Sequence, residues 1–238
     1  MAVDNFDIII PLMHFECPGD MYFIEIIRRG KDHGETGERL ICDYHIRDFK
    51  QMEKRRAEII ERCEQNGARA YIRLNQRNVS DANIYAQIEM LNDQLVRNRT
   101  IRAAMRHGHM EKIKNFPATY RSATKIYGSV LGKYSSEERP TMKWTIDIDT
   151  DRIIPGNPEM DSLEHIADTY SAFITSNCVY PGDRRTVEKE YCRIPSKTGL
   201  HLVTRPFYLD PFNERFGKDK NGDSYVKEDG ITNLYIAD

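Results

Sequence analysis

Two carboxylates two residues apart are the first groups in this sequence able to do chemistry. They lie in the run Trp144-Thr-Ile-Asp-Ile-Asp-Thr-Asp151. The run reads as a strand, and side chains at i and i+2 of a strand point to the same face. Asp147 and Asp149 are then held side by side, and each raises the cost of ionising the other. Asp151 adds a third acid at the same face period. Alternation with Ile146 and Ile148 would by itself place two acids on a solvent face. But acids are poor strand formers, and a cluster of three is relieved by a bound cation. Adjacent hard oxygen ligands suit Mg²⁺ or Mn²⁺.

A second stretch, Arg193-Ile-Pro-Ser-Lys-Thr-Gly-Leu-His-Leu-Val-Thr-Arg-Pro-Phe207, pairs a polar turn with an apolar strand. Ser196, Lys197, Thr198 and Gly199 offer a hydroxyl, an ammonium and backbone N–H groups, a combination that can seat a phosphate. His201 follows between Leu200 and Leu202 and could donate to another phosphate oxygen. A loop followed by a half-buried structural histidine fits the same residues.

The elements that must position these groups follow from periodicity and punctuation. Residues 21–29 and 39–46 read as a hairpin with a long loop holding Gly30, Gly34 and Gly37. A helix follows from Asp48, a candidate N-cap, to Gly67, a stop, with Phe49, Met52, Ile59, Ile60 and Cys63 near helical spacing. Residues 69–75 form a strand. Ser80 can cap a helix in which Ile84, Ile88, Leu91 and Leu95 recur at i+3 and i+4. Residues 100–133 read as mostly helical, with Pro117 as a break or a helix start. Strands are then expected at 143–149, across 189–196, at 199–207 and at 232–236, with a helix over 160–176. This predicts an α+β fold. Residues 1–140 form an N-terminal α/β module with a basic helical segment. Residues 141–238 form an RRM-like (ferredoxin-like) half that carries the acids, the two together one compact unit.

The chain of 238 residues carries a net charge of −2, which hides a segregation. Residues 97–133 hold nine Lys or Arg against one acid, Glu111. Arg97, Arg99, Arg102 and Arg106 head that run and are candidates to contact a nucleic-acid backbone, although a solvated helical face has the same look. No apolar run approaches the roughly 20 residues that span a bilayer. The N-terminus, with Asp4 and Asp7, does not read as a signal peptide. Five widely spaced cysteines without a CxxC read as free thiols in a reducing, cytoplasmic compartment.

Taken together, a strand with Asp-x-Asp, a helix, and a strand with Ser-x-x-Gly-x-His resemble the catalytic core of the archaeo-eukaryotic primase superfamily. Here the motifs read Asp147-Ile-Asp149 and Ser196-Lys-Thr-Gly-Leu-His201, and residues 68–75 look like the α/β module that precedes that core. The resemblance spans residues 20–238, and about fifteen residues carry its specificity. It implies a metal-dependent nucleotidyltransferase of the primase and polymerase class, at work in DNA replication, for instance in a phage or mobile element. Its cofactor is Mg²⁺ or Mn²⁺, and its partners are a template and primer, nucleoside triphosphates and a separate helicase or replication protein. Asp147, Asp149 and a third acid would hold the metal; Ser196, Lys197, Gly199 and His201 would bind the nucleotide. His201 would stand on the same cleft wall as Asp147, beyond direct reach of its carboxylate. Two features depart from the family pattern. Lys197 stands where relatives have Gly, and the third acid is open among Asp229, the first choice, and Asp238, Asp223 and Asp210. No appended helicase or priming-accessory domain is expected.

Other functions use the same residue types. A metal-dependent nuclease or phosphodiesterase also needs clustered acids, a histidine and a basic track. A catalytically degenerate primase-like module would bind nucleic acid or nucleotide only. Cys178 and Cys192, with His165 the one local histidine, make a weak zinc set. Residues 219–229 make a poor calcium loop, because Gly222 and Gly230 fall at the wrong positions. Arg28, Arg29 and Lys31 read equally as surface charge or as nucleotide contacts.

Overall fold

The computed structural model describes residues 2–107, 123–135, 141–180, 189–217 and 224–238. Among them are six α-helices and two antiparallel sheets, an α+β fold. The chain forms two compact units, Met1–Gln76 with Glu137–Asp238, and Arg77–Ser136. This differs from a division near residue 141, because the last strand belongs to the N-terminal sheet. Pro117, Asp223 and the loop positions Asp219 and Asn221 lie outside the described residues.

In the first unit, one sheet runs in the order β1 (Val3–Asp4), β10 (Ile231–Ile236), β4 (Arg69–Arg73), β2 (Asp20–Arg29) and β3 (Glu38–Ile46). Strand β2 buries side chains on both faces, Tyr22, Ile24 and Ile26 on one and Met21 and Phe23 on the other. It pairs with β3 as the expected hairpin. Helix α1 (Phe6–Ile9) and helix α2 (Phe49–Asn66) bring Phe6, Ile9, Met52, Ile59 and Cys63 to this sheet's core. The Asp48 carboxylate accepts from the Gln51 N–H at 2.6 Å, and Gly67 ends α2 in the left-handed region at φ 54°. Both ends of α2 thus use the punctuation that the sequence carries.

The second sheet carries the acids. Its strands run β7 (Glu190–Pro195), β8 (Gly199–Thr204), β6 (Trp144–Asp149), β9 (Val226–Lys227). Helix α5 (Leu163–Asn177) lies between β6 and β7 in the chain, and α6 (Leu209–Phe216) between β8 and β9. The chain order β-α-β-β-α-β with spatial order 4-1-3-2 is the connectivity of a ferredoxin-like sheet. One face, with Trp144, Ile146, Ile148, Leu200 and Leu202, is buried in one core with Ile166, Tyr170 and Ile174 of α5 and Phe212 of α6. The other face holds Ile194 and Val203, which join the core of the first sheet, and Asp147, Asp149 and His201.

The second unit is built on β5 (Arg77–Asn78), the 28-residue helix α3 (Val79–Arg106) and α4 (Ala123–Lys133). Asn78, not Ser80, caps α3: its side-chain oxygen accepts from the Ser80 N–H at 2.9 Å. Arg77 is buried, and its Nε donates to the Leu131 carbonyl at 2.7 Å. No helix of the described residues is long and apolar enough to cross a membrane.

Candidate active site

Strands β6 and β8 are hydrogen-bonded neighbours, and their register sets Asp147 directly opposite His201 and Asp149 opposite Gly199. Burial alternates along β6, with Ile146 and Ile148 inside and both acids exposed, so Asp147 and Asp149 share one face. The expectation that His201 stands out of direct reach of the carboxylate does not hold. Its Nε2 is 3.4 Å from Asp147 Oδ1. The physical reason is the antiparallel register, which brings directly opposite side chains within about 5 Å at Cβ.

The other ring nitrogen, Nδ1, lies 2.7 Å from the Thr232 hydroxyl on β10. Thr232 is fully buried and His201 is 9% exposed. A strand of the first sheet therefore fixes a ring of the second. The two carboxylates titrate apart. His201, followed by Lys227 and Arg152, holds the Asp147 carboxyl below its ordinary value, against the effect of burial. Burial, then the charges of Asp147 and Asp151, push the Asp149 carboxyl up, and His201, then Lys31, oppose them. One acid is readily ionised and its neighbour resists.

The pair opens on two hollows that share Asp147, Asp149 and Lys227 in their walls. One, of about 220 Å³, is lined by Asp147, Asp149, Asp151, Arg152, Ser224, Tyr225 and Lys227. The Arg152 guanidinium packs over the Tyr225 ring and bonds the Tyr170 hydroxyl. The other, of about 650 Å³, runs between the two sheets. Asp147, Asp149, Ser196, Thr198 and His201 line one side of it; Arg29, Glu38, Arg69 and Tyr71 of the first sheet, with Lys31 in the turn after β2, line the other. Arg69 is already paired bidentately with Asp32 at 2.6 and 2.8 Å. Arg29 Nε is buried and lies 3.5 Å from Glu38 Oε1, and Asn233 Oδ1 is buried without a hydrogen-bond partner.

The remaining candidates are placed as follows. Asp229 lines the larger cleft, and its carboxylate accepts from Asn75 Nδ2 at 3.1 Å. Asn75 is buried and also bonds the Glu228 and Lys143 carbonyls and the Lys143 N–H, so it fixes the turn that carries Asp229. Among the described residues, no three His, Cys, Asp or Glu side chains stand close enough to hold a metal. Asp210 sits in the first turn of α6, and Asp238 is the last residue of the chain. Ser196 and Thr198 line the cleft, but Lys197 does not; it is exposed, and its charge reaches Asp32. Gly199 has a packing reason: a Cβ there would lie 2.2 Å from the Ile148 carbonyl oxygen.

Arg97 is half-buried on α3, whereas Arg99, Arg102 and Arg106 are exposed. Cys178 is buried among the helices behind the second sheet, and Cys192 packs with the first sheet's core. Both thiols are pushed up by burial, to about 11 and about 12. Sequence reasoning missed Thr232, Arg69, Asn75 and Lys227. Asp32 and Arg69, 37 residues apart, carry no local signal of their pairing. Lys227 was within reach, because it lies two residues before Asp229. Comparison with protein-family models, with curated proteins and with solved structures finds no match for this chain.

Proposed function

We propose that this chain is a primase–polymerase-like nucleotidyltransferase that acts on nucleic acid with a divalent metal and nucleoside triphosphates. One observation carries the reading. A cleft of about 650 Å³ has paired aspartates and a histidine on one wall and three cations, Arg29, Lys31 and Arg69, on the other. A metal-bound triphosphate needs both signs of charge at once. Among these cations Arg29 lies 3.5 Å from Glu38 and Arg69 is paired with Asp32, which leaves the Lys31 ammonium as the charge most open to an anionic ligand.

Donor chemistry fits a hard cation at Asp147 and Asp149, because burial first, and then the charges of Asp147 and Asp151, make the Asp149 carboxylate costly and a cation offsets both. When bound, the cation supplies charge neutralisation for the triphosphate and makes the attacking hydroxyl easier to deprotonate. Asp147 stays ionised beside His201 and serves as the constant anionic ligand. His201 orients that carboxylate, rather than reaching phosphate from a distance. Arg29 and Lys31 offer charge to the phosphates, and Ser196 and Thr198 offer hydroxyls at the cleft edge. The exposed Arg99 and Arg106 of α3 are assigned to the nucleic-acid backbone.

A second reading has its own support. Asp229 is engaged by Asn75, and no three-acid group is present among the described residues. A module that binds nucleotide without catalysis fits that geometry. Primer extension with Mn²⁺ separates the readings. Growth of the primer, abolished by Asp147→Ala, supports the transferase, whereas shortening of the primer points to a nuclease. Triphosphate binding that needs metal but gives neither product leaves the binding module.

A further inference from the structure

Helix α3 turns its bulk outward. Ala82, Ala86 and Ala104 are buried, while Ile84, Ile88, Leu91 and Leu95 are 54%, 47%, 64% and 48% exposed. At about 100° per residue the three alanines fall on one side of the helix and the four large residues on the other. Within its unit α3 runs along α4. The Tyr85 ring stacks on that of Tyr134 at 4.2 Å, and Lys133 pairs with Glu89 at 3.3 Å. A helix that packs on one side only would put its large residues there. Here the spacing 84, 88, 91, 95 is the alternating four-and-three step of a coiled-coil seam, and it faces away from the alanines.

The charges flanking the seam say what fits it. Asp81 lies on the same face toward the N-terminal end and is exposed; Arg99, Arg102 and Arg106 continue that face toward the C-terminal end and are exposed. A face that is acidic at one end, apolar in the middle and basic at the other is complementary to its own antiparallel copy. In a parallel pair the three arginines would meet their own mates.

We propose that α3 pairs antiparallel with α3 of a second copy of this chain, about a two-fold axis at Leu91 and Asn92. Ile88 then lies opposite the partner's Leu95, and Leu91 beside its own mate. Asp81 lies level with the partner's Arg102, and symmetry makes two such pairs. The seam belongs to the second unit alone, so the proposal does not rest on the reading of the acidic cleft.

Light scattering of the full chain at rising concentration tests it. The mass should climb from 27.8 kDa toward twice that value. Leu91→Glu should hold the chain at the monomer mass, and at concentrations where the wild type is also monomeric its unfolding midpoint should be unchanged, since the side chain is exposed in the single chain. Asp81→Arg and Arg102→Asp should each weaken association on the order of tenfold, because two symmetric pairs are removed. The double variant should restore it. A monomer at every concentration, or a Leu91→Glu chain that dimerises like the wild type, overturns the proposal. So does a monomeric chain whose single-stranded DNA binding is abolished in Leu91→Glu, a result that would give the seam to nucleic acid.

Discussion

Asp149 carries the electrostatic cost of the acidic pair. Its carboxyl is raised from an ordinary 3.8, first by burial and then by Asp147 and Asp151. A group whose folded-state value is raised releases its proton first in the unfolded chain. Folding is therefore penalised as pH climbs through and above the ordinary carboxylate range, and the penalty vanishes below it. Asp149→Asn should stabilise the metal-free protein at neutral pH by about 0.5 kcal/mol after solvent screening, or about 1–2 °C in Tm. The difference should close in thermal melts taken well below pH 3.8, and saturating Mn²⁺ should reverse its sign. Thr232 has the opposite character. Ionised Asp147 can only accept, so Nε2 of His201 carries the hydrogen that faces it, and Nδ1 of the neutral ring accepts from the Thr232 hydroxyl. If the ring gains a proton, the same hydroxyl turns and accepts. Thr232→Val should cost about 1–2 kcal/mol in urea unfolding and blur the single-tautomer nitrogen signature of His201 in NMR. Thr232→Ser should restore both. An unchanged signature in Thr232→Val would detach Thr232 from the site. Asp147, Asp149 and His201 were legible because their motifs are local. Thr232 was not, because a threonine in an apolar strand has no mark until its neighbour across the sheets is known.

At the scale of elements, the punctuation of α2 and the strand runs were legible, since caps and alternation act within a few residues. The seam of α3 was legible as a pattern but not in its direction. Periodicity gives a face, and burial decides whether the fold covers it. Gly199 shows the same limit. Beside Ser196 and Lys197 it looks like part of a phosphate turn, yet the pairing of β8 with β6 supplies its reason. Gly199→Ala would drive a Cβ to 2.2 Å from the Ile148 carbonyl, in the strand pair that sets Asp147 against His201. The backbone must move, at a cost near ~3 kcal/mol, the upper end for overpacking. Gly128 in α4 is the control. Nothing lies within 4 Å of a Cβ there, so Gly128→Ala should stabilise by about 0.5–1 kcal/mol through helix propensity. Urea midpoints for the two variants should move in opposite directions. If Gly199→Ala keeps its midpoint, the register argument for the site fails with it.

At the scale of the molecule, residues 231–236 return to the N-terminal sheet, and this closes the cleft between sheets from opposite ends of the sequence. No local pattern announces that return, which explains why a boundary near 141 looked natural. Charge organisation, in contrast, was legible from counting. A net charge of −2 conceals nine cations against one acid over residues 97–133. If these cations follow a nucleic-acid backbone, binding releases counterions, and the logarithm of affinity falls linearly with the logarithm of salt. Arg99 and Arg106 are exposed and take no part in the proposed Asp81–Arg102 pairing, so they test this electrostatic contribution separately. Neutralising both to Ala should lower the slope for single-stranded DNA by about 0.7 for each phosphate that is no longer neutralised. In the proposed register Arg99 comes level with the partner's Ile84, so Arg106→Ala alone is the variant whose oligomeric mass should stay as it was. Fluorescence anisotropy over a salt series gives the slope directly. Binding that weakens equally at all salt concentrations, with the slope unchanged, would show that these arginines do not touch phosphate. Arg99 and Arg106 would then be solvated surface charges, and the nucleic-acid track of the proposed transferase would have to be sought elsewhere.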